Sequence, residues 1–150
     1  MTQPLVSIIV PYQNEAKFIG RVLESLAKQN YPKDKLEIIA VDSNSWDDSP
    51  EIVAACARKD DRIKAVHDPK GTTSTSMNIG IKSARGDLVT KSDAHTIYPP
   101  DYVSKCVAYL EEYKTDAVGG VTYNVPANDS LSAKAIVLVL DSPLGGGGSF

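Results

Sequence analysis

A chain of 150 residues suits one domain with a sizeable core. With 42% hydrophobic and 23% charged residues it is not a disordered polypeptide, and its net charge of −3 gives no electrostatic grip on nucleic acid or anionic lipid. Cys56 and Cys106 each fall within an apolar helical pattern, so they read as buried free thiols in a reducing compartment such as cytoplasm.

In chain order, residues 5–10 form a short apolar run ending at Pro11, as a strand buried on both faces does. A polar turn, Tyr12 to Glu15, leads to a helix whose stripe is Ile19, Val22, Leu23 and Leu26, stopped at Asn30-Tyr31-Pro32. A second strand, 36–41, ends at Asp42. The loop that follows carries Trp46, read as a packed anchor, and Asp47 and Asp48, read as solvated. Ser49 caps a helix running to about Arg58, with Pro50 at its first position. A third strand spans 63–66, and His67 to Gly71 form a turn cluster in which His67 has no ligand-spaced neighbour. A helix with Met77, Gly80, Ile81 and Ala84 on one stripe ends at Gly86 as its cap. Strand four, 88–91, precedes Ser92-Asp93-Ala94-His95. A helix opening at Pro99-Pro100-Asp101 has the stripe Val103, Cys106, Val107 and Leu110. A fifth strand is expected over 117–124, loosened by Gly119-Gly120, and a last helix, capped by Ser130 or Ser132, runs to about 140. No leader-like segment opens the sequence, and the apolar run 135–140 is too short to cross a bilayer.

Strand and helix alternate throughout, which predicts an α/β fold: a mostly parallel sheet with helices on both faces. In such sheets ligands sit at the carboxyl ends of the strands. Four successive strand ends carry ligand-capable groups: Gln13, Asn14 and Glu15; then Asp42; then Lys70; then Asp93 and His95. On an extended backbone Asp93 and His95 point to one side, with Ala94 taking no room between them. A carboxylate oxygen and an imidazole nitrogen offer two points to a divalent cation, Mn²⁺ or Mg²⁺, with positions left for phosphate oxygens and water. Alone, the pair is equally well explained by a turn aspartate and a surface histidine. Lys70 can add a point charge beside the same oxygens, and Asn78 either reaches a ligand or caps locally.

Four ordered motifs carry a resemblance: Val6-Ser7-Ile8-Ile9-Val10-Pro11 with Asn14-Glu15, Leu36 to Asp42, Asn78-Ile79-Gly80, and Ser92-Asp93-Ala94-His95. The set resembles family 2 glycosyltransferases, inverting enzymes of the nucleotide-diphospho-sugar (GT-A) fold. Residues 93–103 look most like succinoglycan-biosynthesis-type members, which extend lipid-linked saccharides. The resemblance implies that Pro11, Gln13 and Glu15 line base and ribose, that Asp42 pairs with the base, and that Asp93 and His95 stand at the two positions of the Asp-x-Asp motif. It implies a UDP-sugar donor, a saccharide or lipid-linked acceptor, and a place at the cytoplasmic face of the membrane, with any tether in sequence outside these residues.

The chain departs from the family pattern at Ser43, where a second aspartate is common, and at Gln13, where tyrosine or arginine is common. No residue of 1–150 suggests itself as the base that takes the acceptor's proton. The expectation is therefore a single donor-binding domain truncated before its acceptor side, and the alternative is a nucleotide-sugar-binding fragment without turnover. A dinucleotide-binding enzyme lacks its Gly-x-Gly-x-x-Gly after strand one, and a phosphoacceptor domain lacks the acidic pair it needs there.

Overall fold

The computed structural model describes residues 3–120, 123–126 and 128–142. They fall into two compact units, 1–107 and 108–150.

The first unit is built on a four-stranded, wholly parallel sheet in the order β3-β2-β1-β4. Its strands are β1 (Val6–Tyr12), β2 (Leu36–Asp42), β3 (Ile63–His67) and β4 (Leu88–Lys91). Ile8, Val10, Ile38 and Ala40 point to one face, where they pack with Ile19, Val22, Leu23 and Leu26 of α1 (Ile19–Ala27) and Val53 of α2 (Ser49–Lys59). The same cluster takes in Val103 and Val107 of α4 (Tyr102–Tyr113). Ile9, Ile39 and Val41 point to the other face and meet Met77 and Ile79 of α3 (Thr73–Ser83). Helices thus cover both faces, which is why β1 and β2 are buried along almost their whole length.

Two close approaches need glycine. A Cβ on Gly80 would lie 2.4 Å from Cγ2 of the buried Ile9, so α3 can lie on the sheet only with hydrogen there. Gly86 is not a helix cap as expected. The helix ends at Ser83, and Gly86 instead passes so near β1 that a Cβ would stand 2.5 Å from Ser7 Oγ. Ile81, placed by its spacing on the buried stripe, is half exposed, because the contact face runs through Ser76 and Gly80.

At the amino end of the sheet, Glu37 is buried inside β2 and fully engaged. Its carboxylate accepts from Ser7 Oγ, the Arg85 amide and Lys64 Nζ, each at 2.7 Å, and from Arg85 Nε at 3.1 Å. Burial alone would raise its pKa, but the Lys64 ammonium, the Arg85 amide, the Ser7 hydroxyl and the Arg85 guanidinium outweigh it and hold the group at about 2.

In the second unit, α5 (Leu131–Leu140) is capped by Ser130, whose Oγ accepts from the Ala133 amide at 3.2 Å. The strand expected over 117–124 is not there. Residues 117–120, 123 and 124 are not in a strand, and 121 and 122 lie outside the described residues. Gly119 and Gly120 supply no side chains to a ladder, and residues 117–120 are all exposed, so nothing is gained by extending them. Among the described residues no helix is long and apolar enough to cross a membrane.

Candidate nucleotide-sugar site

The chain leaves β1 toward β2 on one side, and β4 returns to pair with β1 on the other. That reversal opens a crevice at the carboxyl ends of β1 and β4, the place where doubly wound sheets hold ligands. A cavity of about 270 Å³ lies there. Pro11, Gln13, Glu15, Asp93 and His95, all expected at the site, line it together with Tyr12, Ser43, Gly71, Thr73, Lys91 and Ala94.

Asp93 and His95 reach this wall by another route than the one expected. β4 stops at Lys91, and the next residues turn, closed by the Thr96 amide on the Asp93 carbonyl at 3.3 Å. Extended alternation therefore does not orient them. Ala94 does: it is 4% exposed and buried in the core beneath the sheet ends, so its two neighbours face outward. The Asp93 amide donates to Tyr98 Oη at 3.1 Å, and the Tyr98 ring packs on Tyr102 with centroids 5.0 Å apart. Behind it, buried Gln29 at the end of α1 donates to the Pro99 carbonyl at 2.7 Å and accepts from the Val103 amide at 2.9 Å. The turn thus rests on α1 and α4.

The carboxylate of Asp93 is half exposed and paired with Lys91 Nζ. His95 Nδ1 lies 3.2 Å from Glu15 Oε1. One cation and one carboxylate thus sit against the two candidate metal-directed groups, and Lys91 is a site residue that the sequence pattern did not single out. Its signal was its place at the last position of the strand that delivers Asp93.

The loops after β1 and β2 are stitched into one surface. Gln13 Nε2 donates to the Ser43 carbonyl at 2.7 Å, the Glu15 amide to Ser49 Oγ at 2.8 Å, and the Ala16 amide to Asp47 Oδ2 at 3.0 Å. Asn14, in the left-handed region at φ 55°, accepts from the Trp46 amide at 2.9 Å. Two expectations are corrected here. Asp47 is not simply solvated: burial would raise its pKa, but bonds from Ser49 and Ala16 bring it below the ordinary range. Trp46 is not packed, because its amide rather than its ring secures the loop, leaving the side chain 85% exposed.

Asp42, Lys70 and Asn78 are not among the residues lining the cavity. Asp42 is largely buried at the end of β2, accepting from the Ser45 amide at 2.9 Å and lying 3.3 Å from His67 Nδ1. Beside it Tyr12 is buried, and burial followed by the charges of Asp42, Glu51 and Asp47 pushes its hydroxyl far above the usual range. Asn78 is exposed on α3. Lys70 is exposed on a turn organised by Asp68, a wholly buried carboxylate. Asp68 accepts from Thr75 Oγ1, from Ser76 Oγ at 2.8 Å and from the Lys70 amide at 2.9 Å. Burial opposes its charge, yet these bonds hold its pKa below the ordinary range. Ser76 in turn bonds Ser43 Oγ at 2.7 Å, so the Asp68 network fixes both Ser43 and Gly71 on the cavity wall.

A wholly parallel sheet with helices on both faces and a crevice at the β1/β4 reversal is the arrangement of the GT-A fold, which its structural neighbours share. The chain belongs to glycosyl transferase family 2, whose profile matches residues 7–142. It is 32% identical, over 97% of its length and 47% of the relative's, to a dolichyl N-acetyl-alpha-D-glucosaminyl phosphate 3-beta-D-2,3-diacetamido-2,3-dideoxy-beta-D-glucuronosyltransferase of Methanococcus voltae. It is likewise 32% identical, over 83% of its length and 41% of the relative's, to the glycosyltransferase GlyG of Streptococcus pneumoniae. Among solved structures it is similar to the mannosyltransferase PcManGT of Pyrobaculum calidifontis in complex with GDP-Man and Mn²⁺, with TM-score 0.69 and 32% identity over 73% of this chain and 33% of that one. TarS 1–349 of Staphylococcus aureus in complex with UDP gives TM-score 0.67 and 26% identity over 79% of this chain and 38% of that one. The chain spans less than half the length of each of these relatives.

Proposed function

We propose that residues 1–150 form the donor-binding domain of a metal-dependent, inverting glycosyltransferase that takes a UDP-sugar and extends a saccharide or lipid-linked saccharide in polysaccharide biosynthesis, as succinoglycan-type enzymes do. The observation that carries this reading is the meeting of Asp93 and His95 on the wall of the β1/β4 crevice. Pro11, Gln13 and Glu15 form the side for base and ribose. Asp42, Lys70 and Asn78 lie outside the cavity lining and carry no part of this reading. The uridine base is supported by TarS 1–349 in complex with UDP, while PcManGT in complex with GDP-Man stands for the guanine alternative.

The donor set fits a divalent cation, Mn²⁺ or Mg²⁺. Among the described residues no cluster of three or more His, Cys, Asp or Glu could hold a metal, so Asp93 and His95 would supply two ligands and leave the other positions to diphosphate and water. Bound there, a cation supplies the charge that offsets the diphosphate as it leaves. Lys91 adds a second positive group, released toward the phosphates once Asp93 has another partner. The thiols Cys56 and Cys106, both free and half-buried, suit a domain working at the cytoplasmic face of the membrane.

Transfer also needs a base. Glu15 and Asp93, the carboxylates lining the cavity among the described residues, are engaged by His95 and Lys91. That favours a second reading, in which these residues hold the donor without turning it over. Calorimetric titration of UDP and GDP, with and without Mn²⁺, tests the binding. The expected result is UDP binding that requires Mn²⁺ and exceeds GDP binding. Tighter GDP binding sinks the base assignment, and sugar transfer by residues 1–150 alone sinks the second reading.

A further inference from the structure

We propose that Glu15 is a positioning residue for His95: its carboxylate fixes the imidazole tautomer that leaves Nε2 bare for a cation. The inference rests on the donor-site reading above and concerns a residue which that reading assigns only to base and ribose.

The two groups are 80 residues apart in sequence and meet because β1 and β4 are neighbours in the sheet. His95 presents Nδ1 to Glu15 Oε1 at 3.2 Å. A carboxylate only accepts, so the hydrogen of this contact lies on Nδ1. A neutral imidazole then has its lone pair on Nε2. Without such a partner imidazole favours the opposite tautomer in water, with the hydrogen on Nε2 and no lone pair there for a metal. Histidines that bind metals commonly have their other nitrogen held in this way by a carboxylate or carbonyl.

Glu15 is built to do this. Its side chain is only 24% exposed, and its backbone is fixed at both ends. The amide donates to Ser49 Oγ at 2.8 Å, and the carbonyl accepts from the Phe18 and Ile19 amides at 2.9 Å, starting the turn into α1. His95 is the more exposed partner, at 62%, with its backbone held between buried Ala94 and the Tyr98-bonded turn. The carboxylate is thus the fixed element and the ring the one that is oriented. Glu15 has no second hydrogen-bonding partner among the described side chains, which frees it for this one.

The test reads the ring directly. Long-range ¹H–¹⁵N spectra of the metal-free protein at pH 8 distinguish the two tautomers, and with only His67 besides His95 in the chain, a His95→Ala spectrum assigns the signals. Wild-type His95 is expected with hydrogen on Nδ1. Glu15→Ala should move it to Nε2, and Glu15→Gln should restore the wild-type pattern, because the amide oxygen also accepts. Manganese affinity in the presence of UDP, read from the EPR signal of free Mn²⁺, should fall about 10- to 100-fold in Glu15→Ala and recover in Glu15→Gln. Hydrogen on Nε2 in the wild type, or an unchanged tautomer in Glu15→Ala, overturns the inference while leaving the donor site standing. The predicted tautomers in a wild-type protein that takes up no Mn²⁺ with UDP overturn the donor-site reading, and the role of Glu15 with it.

Discussion

Replacing Asp93 with alanine is expected to weaken Mn²⁺-dependent UDP binding by at least about 100-fold, roughly 2.7 kcal/mol, with His95→Ala close behind. The magnitude follows from the scale of outer-shell effects. Losing a group that merely orients a ligand costs about 10- to 100-fold in metal affinity, so losing the ligand itself costs no less than the upper end. Neither change should harm the fold. Asp93 is half exposed and its pair with Lys91 is a surface ion pair, worth about 0–1 kcal/mol. His95 is more exposed still. Calorimetry with Mn²⁺ and UDP, beside urea unfolding of each variant, separates the two effects. Binding that survives Asp93→Ala removes the Asp-x-His turn from the account.

Glu37→Gln should do the opposite, lowering stability while leaving the donor pocket intact. The carboxylate is 2% exposed at the far end of the sheet and is held at about 2 against an ordinary 4.5. A folded-state value below the unfolded one stabilises the protein fully above about pH 4.5, and that contribution fades as pH falls toward about 2. The difference corresponds to about 3 kcal/mol, the lower end of the range for breaking a buried ion pair. The lower end is the reasonable one, since Lys64 and Arg85 are 36% and 69% exposed and can turn to water when released. Urea unfolding at pH 7 should show Glu37→Gln less stable by about 3 kcal/mol, and at pH 2 the two proteins should nearly coincide. An equal deficit at both values would mean that packing, rather than the charge of Glu37, accounts for the loss.

Glu37 also shows where sequence reading stops. Its strand was legible because Ile38 to Val41 form a continuous apolar run, and the same kind of run revealed β1. The carboxylate inside the strand was not, because its partners Ser7, Lys64 and Arg85 lie 27 to 48 residues away and only the folded sheet brings them together. Asp68 was hidden in the same manner, inside a Pro-Gly turn that reads as solvent-facing. The strand-end residues around the crevice were legible because a parallel sheet gathers them at one edge whatever the strand order. The order itself, which puts β4 against β1 and so brings Glu15 to His95, had no local signature. The common facing of Asp93 and His95 is legible from their spacing, but not its cause: β4 ends at Lys91, and a buried alanine in a turn does the orienting. The expected fifth strand failed for a simpler reason, since two glycines among the four exposed residues 117–120 give an extended segment nothing to pack on.

The central claim is that a cation and a nucleotide diphosphate meet on the Asp93–His95 turn. Paramagnetic broadening by Mn²⁺ in the presence of UDP tests it most directly, because signal loss reports distance to the ion residue by residue. The account predicts broadening centred on Asp93 to His95, extending to Glu15 and Lys91, and absent from Ser7, Glu37 and Lys64 at the opposite end of the sheet. Broadening centred anywhere else, or none at a Mn²⁺ concentration that supports UDP binding, would contradict it.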